Sequence, residues 1–350
     1  MNSGYSMSHR ALTSEASISN VAALAGVSTA TVSRVLSGRR KKDDELSKRV
    51  RQAAEKLNYS VNYAASALRS DITNIIAVIV PELGGSMYSR FAEEAESVIS
   101  AQGKQLMLGI GGDAHEQEQR IRAVVSRHVD GIMVVPVETE AVVELLEGVA
   151  DHTPVVQVFS QAYSNRLDWV GTSNTLVMQL IAEHLSASGA RSVAYLGSST
   201  SDVDGMGLFT AFHMQMTVSG LTTQTDWIRF GSSGMDYGFT VAQEILSEGG
   251  QRPDSIICAD GMTALGVVQA CRSCDLEVPG DIKLVVLQDS ALCEDSNFSK
   301  PSLTAVRLPW MRIAGKAMEL ISVEHESKSW LPSYVEMEPS LVIRESSAAS

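Results

Sequence analysis

Residues Ile18 to Gly38 read ISNVAALAGVSTATVSRVLSG, two short apolar-patterned segments on either side of one glycine. In the first, Val21, Ala22 and Ala25 fall on one helical face, and Ser17 or Ser19 can cap its start. Gly26 supplies a tight turn that a residue bearing a Cβ would strain. Ser28 can then cap a second helix that carries Val32, Val35 and Leu36 inward and stops at Gly38. Two short helices joined by a glycine turn form a helix-turn-helix, whose second helix enters the major groove of DNA. A third helix follows: Asp43 can cap it, and Leu46, Val50, Ala53 and Leu57 make one apolar stripe. Between them, Arg39-Arg40-Lys41-Lys42 is the densest cationic run in the chain. A short helical pair or a basic loop is common by itself. The two together, in one compact head, point to a nucleic-acid reader.

The charge of the whole chain runs the other way. The 350 residues carry a formal charge of −13, which taken as a sum argues against phosphate contacts. The sum hides an asymmetry. Residues 1–74 hold 11 Lys/Arg and 6 Asp/Glu, net +5, and the remainder hold 17 and 35, net −18. The chain is a small basic head on a large acidic body. Its 44% hydrophobic and 20% charged residues exclude wholesale disorder, and its length implies two or three domains. Met1 to Ser17 lacks the apolar run of a secretory signal, and no stretch reaches the ~18 apolar residues of a membrane span. The four cysteines are too few for a disulfide scaffold, and Cys271-x-x-Cys274, without a second pair, reads as helix packing. A cytoplasmic protein without membrane contact is expected.

From Ile75 onward, apolar runs of strand length alternate with helical patterns. Strands are expected at 75–80, 105–110, 131–135, 155–159, 193–197, 228–230, 255–259 and 283–287, with helices at 89–102, 116–127, 176–188, 236–248 and 262–274 among them. Continuous apolar strands with crossover helices make parallel sheets covered on both faces. About 275 residues of this pattern exceed one comfortable core, so two α/β lobes are expected. The last residues, Glu345–Ser350, are small and polar and read as a frayed tail.

The string AGVSTATVSRVLSG, followed by LNYSVNYAASALRS at 57–70, resembles the lactose-repressor (LacI/GalR) family of bacterial transcription regulators. The body carries weaker landmarks in the family's order: RHVDGIMVVP at 127–136, EHLSASGARSVAYLGS at 183–198, CADGMTALG at 258–266, VPGDIKLV at 278–285 and PSLTAV at 301–306. The resemblance implies an all-α helix-turn-helix head on an α/β body of two doubly wound lobes, similar to the type I periplasmic-binding-protein fold. On that basis residues 1–16 are a disordered tail, 17–60 the head, 61–72 a hinge and 73–345 the effector-binding and dimerisation body. Its first lobe is expected at about 73–162 plus 303–331, and its second at about 163–302 plus 332–345. Three crossing segments fall near 160–172, 299–303 and 330–334.

The resemblance also implies a hinge helix over Asn62 to Leu68 that folds on the operator, with Leu68 as the apolar wedge that a dimer inserts into the minor groove. Without the head, Leu68 would read as an ordinary linker residue. In the second helix, Thr29 and Ala30 suit thymine methyl contacts and Arg34 can bond guanine bidentately. Ser28 and Thr31 are placed for phosphate at a helix N-terminus, and Ser33 can also reach phosphate. Lys41 of the basic run and Asn62, Ala65 and Leu68 of the hinge complete the candidate DNA set. Two departures stand out: Val61 replaces the proline usual before the hinge asparagine, and Leu46-Ser47 replaces a usual Thr-Arg pair.

Ligands of such folds bind between the lobes, at the carboxyl ends of strands. There the family's usual polar anchors are altered together: Thr172 and Gln288 stand for aspartates, Leu208 for an arginine and Asp260-Gly261 for Asn-Asp, with Asp289 beside Gln288. Candidate effector-lining residues are Tyr88, Phe159, Thr172, Leu208, Asp260, Gln288 and Asp289, and Phe159 and Leu208 read equally as lobe packing. Either an unusual, less polar effector binds or the cleft no longer binds one.

No enzyme is indicated. Gly109-Ile-Gly-Gly112 lacks the third glycine and the Lys-Ser/Thr of a phosphate loop, no Gly-x-Ser-x-Gly elbow occurs, and no two histidines have metal-ligand spacing. No cofactor and no metal are implied. The expected function is a dimeric repressor that binds a near-palindromic double-stranded DNA operator as a homodimer, modulated by a small-molecule effector. The alternatives are control by a protein partner at a degenerate cleft and, in another class, a cytoplasmic small-molecule-binding protein.

Overall fold

The computed structural model describes residues 17–36, 40, 42, 44–59, 72–84, 86–159, 162–198, 203–247, 251–294, 300–323 and 331–348. The chain divides into two compact units, Met1–Thr73 and Asn74–Ser350.

In the first unit, α1 (Ile18–Ala25) starts on Ser17, whose hydroxyl accepts the Asn20 amide at 3.3 Å, and ends on Gly26 at φ 66°. The left-handed backbone there is why the turn needs glycine. α2 (Thr29–Leu36) and α3 (Glu45–Lys56) follow. The side chain that caps α3 is Asp44, one residue beyond the expected Asp43, which lies outside the described residues; Asp44 Oδ1 accepts the Ser47 amide at 3.1 Å. The shared core is small and made of short side chains: Val21, Ala22 and Ala25, Val32 and Val35, and Val50, Ala53 and Ala54, with Leu46 and Leu57 at its edge. The expected tail and residues 61–71 of the expected hinge, with Asn62, Ala65 and Leu68, lie outside the described residues, as does Lys41.

The second unit alternates as expected: β1 (Ile75–Val80), α4 (Ser86–Ala101), β2 (Gln105–Ile110), α5 (Ala114–Val125), β3 (Gly131–Val134), α6 (Glu140–Ala150), β4 (Val155–Val158), β5 (Asp168–Gly171), α7 (Asn174–Ala187), β6 (Val193–Gly197), α8 (Val203–Val218), β7 (Ile228–Phe230), α9 (Met235–Ser247), β8 (Ser255–Cys258), α10 (Gly261–Ser273), β9 (Lys283–Val286), α11 (Ala291–Glu294), β10 (Thr304–Arg307), α12 (Trp310–Ser322), β11 (Tyr334–Glu336) and β12 (Ser340–Val342). One sheet has the order β11-β5-β4-β3-β1-β2 and is parallel throughout. The other has the order β12-β10-β9-β8-β6-β7, parallel except for its antiparallel edge strand β12. The central strands are buried on both faces, as in the run IIAVIV of β1, because helices cover both sides.

Sheet membership moves the expected crossings. β5 belongs to the first sheet and α7 packs on the second, so the chain crosses at 172–173. β10 belongs to the second sheet and α12 packs on the first, giving a crossing at 308–309 and not at 299–303. β11 and β12 lie in different sheets, so the third crossing is at 337–339 and not at 330–334. The first lobe therefore takes in β5 and β11, and the second takes in β10. The displaced strands are three or four residues long and carry charges (Asp168, Arg307, Glu336), which hid them from apolar patterning.

The end of the chain is not frayed as far as Ala348. Ser346 and Ser347 are fully buried. Ser346 Oγ donates to the Leu284 carbonyl at 2.7 Å, and Ser347 Oγ lies 2.7 Å from both His184 Nε2 and Thr304 Oγ1. Small polar residues read as a tail by composition, but hydroxyls that find partners can be buried without penalty. Burial also lowers the pKa of His184.

Candidate nucleic-acid interface and ligand cleft

In the head, α2 separates its residues by face. Val32 and Val35 point into the core, while Thr29, Ala30, Ser33 and Arg34 are exposed and follow one another around the opposite side. Ser28 caps the helix: its hydroxyl accepts the Thr31 amide at 3.2 Å and lies 2.9 Å from Thr31 Oγ1. These two side chains therefore order the first turn, with their backbone N–H groups at the helix N-terminus, where anions are favoured. The exposed set carries a guanidinium, two hydroxyls and a methyl, the functional groups that read base edges and phosphates.

The basic run is partly used within the head. Arg40 Nη2 stands 2.5 Å from Asp44 Oδ2, and the Arg40 amide donates to the Arg34 carbonyl at 3.0 Å, folding the loop back on the end of α2. Ser47, at one of the family-departing positions, is buried, donates to the Lys42 carbonyl at 2.8 Å and so serves the loop and not phosphate. Arg40, and then the Ser47 amide, hold the Asp44 carboxyl down to about 2 from an ordinary 3.8. A depressed carboxylate stabilises the fold above its ordinary pKa and stops doing so as pH falls through the folded value. Calorimetry of the full chain is thus expected to show the head melting earlier as pH drops from about 4 toward 2. Asp44→Asn should flatten that part of the pH dependence; an unchanged profile would place the acid sensitivity elsewhere.

In the body, Phe159, Thr172, Leu208 and Gln288 converge on one inter-lobe cavity of about 50 Å³, with Met87, Leu287, Leu308 and Trp310 among the other walls. The residues come from the carboxyl ends of β4, β5 and β9, from α8 and from the crossing before α12, as open α/β sheets require. Phe159 has φ 92°, and its carbonyl covers Gly171 so closely that a Cβ there would stand 1.6 Å from the oxygen. Its ring packs on Trp310 at 4.8 Å, on Tyr88 at 5.0 Å and on Phe91 at 5.4 Å. Tyr88 thus supports the wall without lining the cavity.

Three candidates are engaged elsewhere. Thr172 lines the cavity, but its hydroxyl donates to the Met337 carbonyl at 2.9 Å, tying two crossing segments together. Asp260 caps α10, accepting the Thr263 amide at 3.0 Å and hydroxyl at 3.1 Å, and also accepts from Ser233. Asp289 is buried between two arginines: Arg307 Nε donates to Oδ2 at 2.8 Å, and Arg344 Nη2 lies 2.9 Å from Oδ1. It faces a second cavity of about 430 Å³. Trp310 and Met87 were not anticipated. Trp310 follows β10, and placing the crossing too early removed it from the cleft.

Residues 17–62 match the family model for bacterial regulatory proteins of the lacI family, and residues 182–347 match a periplasmic binding protein-like domain. The chain belongs to the lacI family of bacterial regulatory proteins. As a LacI-family member it is a DNA-binding transcriptional regulator. It is 28% identical over 331 residues to the HTH-type transcriptional repressor PurR of Vibrio parahaemolyticus, covering 94% of this chain and 98% of that one. With PurR of Erwinia tasmaniensis it shares 27% over 338 residues, 95% and 97% of the two chains. The fold of this LacI-family regulator matches the Lac repressor dimer bound to operator and the anti-inducer ONPF with a TM-score of 0.77 at 22% identity, over 95% of this chain and 99% of that one. It matches the CelR–cellobiose complex with a TM-score of 0.66, also at 22% identity, over 95% of this chain and 99% of that one. No helix among the described residues is long and apolar enough to cross a membrane, and none of their His, Cys, Asp and Glu side chains form a group suited to a metal ion.

Proposed function

We propose that this regulator is a dimeric, cytoplasmic repressor that reads a near-palindromic operator through α2 and is controlled by a small molecule between the lobes. The observation that carries the reading is the face of α2, where Thr29, Ala30, Ser33 and Arg34 are exposed together above a core built from Val32 and Val35. Ser28 and Thr31 serve the phosphate side, joined by Lys41 and by Asn62, Ala65 and Leu68 of the hinge. Relatives named as repressors, and a structural neighbour crystallised as an operator-bound dimer, support the same reading. A two-fold dimer imposes two-fold symmetry on its site. The acidic body, repelled by phosphate, keeps the duplex on the head.

Selection from random duplexes by the full chain is expected to enrich one inverted repeat. A steep salt dependence without any enriched repeat would reject the proposal, because phosphate contacts alone produce it.

A further inference from the structure

Two cavities meet between the lobes, and their chemistry differs. The inner one, about 50 Å³, is walled by Phe159, Leu208, Leu287 and Val177. The outer one, about 430 Å³, has Arg90, Arg307, Arg312, Glu94, Asp289 and Glu294 on its rim and lies in the size range of small-molecule sites. Met87, Gln288, Leu308 and Trp310 line both.

The inner end is mostly apolar, with the carboxamides of Asn174 and Gln288 as its polar groups. The Thr172 hydroxyl is committed to Met337, and a hydroxyl-rich group placed against Phe159 and Leu208 would lose water without recovering its hydrogen bonds. The outer end has the opposite character. Each carboxylate on its rim is already held by arginine: Asp289 and Glu294 by both Arg307 and Arg344, and Glu94 by Arg90 at 3.3 Å. Counting Arg344 behind the rim, four guanidiniums meet three carboxylates. Arg312 has no ion-pair or hydrogen-bond partner among the described residues. One positive charge is left over, in a body whose net charge is −18.

We propose that the ligand of this cleft is an apolar carboxylic acid. Its carboxylate pairs with Arg312, and its hydrocarbon or aromatic part lies along Trp310 into the inner cavity against Phe159 and Leu208. Charge-assisted pairing with a planar guanidinium suits a carboxylate, and the single unbalanced charge suits one acidic group. Two of the side chains that line both cavities touch each other, Gln288 Nε2 lying 3.7 Å from Met87 Sδ. Met87 belongs to the first lobe and Gln288 to the second, so a ligand that threads both cavities shifts the population of lobe arrangements. Its role as an effector rests on the proposed function, whereas the site itself does not.

Calorimetric titration of the full chain with phenylacetate, 3-phenylpropionate and octanoate, each beside its primary amide, tests the proposal. At least one acid should bind more tightly than about 1 mM, and its amide at least about tenfold more weakly. Arg312→Gln, at an exposed position, should weaken the acid about tenfold, leave the amide unchanged and keep the wild-type melting temperature. Equal binding of acid and amide, full acid binding by Arg312→Gln, or no acid binding below about 1 mM would each overturn it. Titrating the same acids into the DNA complex separates the two levels. An acid that binds through Arg312 but leaves operator affinity unchanged keeps the site and rejects the proposed control.

Discussion

Arg34→Ala is expected to weaken operator binding by about 1–3 kcal/mol, about 5- to 150-fold, while leaving binding to random DNA nearly unchanged. The expectation rests on position. Arg34 is exposed in the last turn of α2, on the same side as Thr29, Ala30 and Ser33, and nothing in its own helix neutralises it. A guanidinium there can bond the O6 and N7 of a guanine together, an interaction lost entirely on truncation. A phosphate contact would behave differently: its loss weakens every sequence alike and lowers the salt slope by about one. Gel shift or fluorescence anisotropy on the selected operator and on a scrambled duplex, at two salt concentrations, distinguishes the outcomes. An equal loss on both duplexes would move Arg34 to the backbone and leave Thr29 and Ala30 as the base-reading residues. Arg40, in the loop that follows α2, makes the contrast. Its pairing with Asp44 and its amide bond to the Arg34 carbonyl mark it as a residue that holds α2 in place.

The head was legible because its signals are local. A glycine with positive φ, two capping serines and a repeat of Val and Ala decide three short helices within 40 residues of chain, and the structure has them all. Strands of the body were readable too: the longer β1, β2 and β6, and the short β7, keep their expected bounds. What escaped reading depends on partners far away in sequence. Asp168 is buried in a strand because its carboxylate accepts the Ser333 amide at 2.7 Å, 165 residues on. Ser346 and Ser347 are buried because Leu284, Thr304 and His184 meet their hydroxyls. The cleft was read in part for the same reason. Position along the family pattern identified Phe159, Thr172, Leu208 and Gln288 as neighbours, but not that Asp260 is spent on a helix cap, nor that Trp310 closes the wall.

Asp289→Ala gives the largest expected loss of stability and decides between two roles for this carboxylate. Its side chain is 6% exposed and that of Arg344 is 11% exposed, so the pair is shielded from water and from salt. Removing one partner of a buried pair costs about 3–5 kcal/mol, because the remaining charge stays desolvated. Here Glu294, 3.2 Å from Arg344 and 2.6 Å from Arg307, retains part of the compensation, so the lower end of that range is expected. For a body of this size, about 3 kcal/mol corresponds to a fall in melting temperature of roughly 6–12 °C. Glu294→Ala provides the comparison. That side chain is 57% exposed, and the loss should stay within about 1 kcal/mol. Were Asp289 instead a ligand anchor, as its place after β9 first implied, its replacement would abolish ligand binding with little effect on melting. The observed clamp argues for the reverse: a protein that melts early and, at temperatures where it is still folded, retains ligand binding.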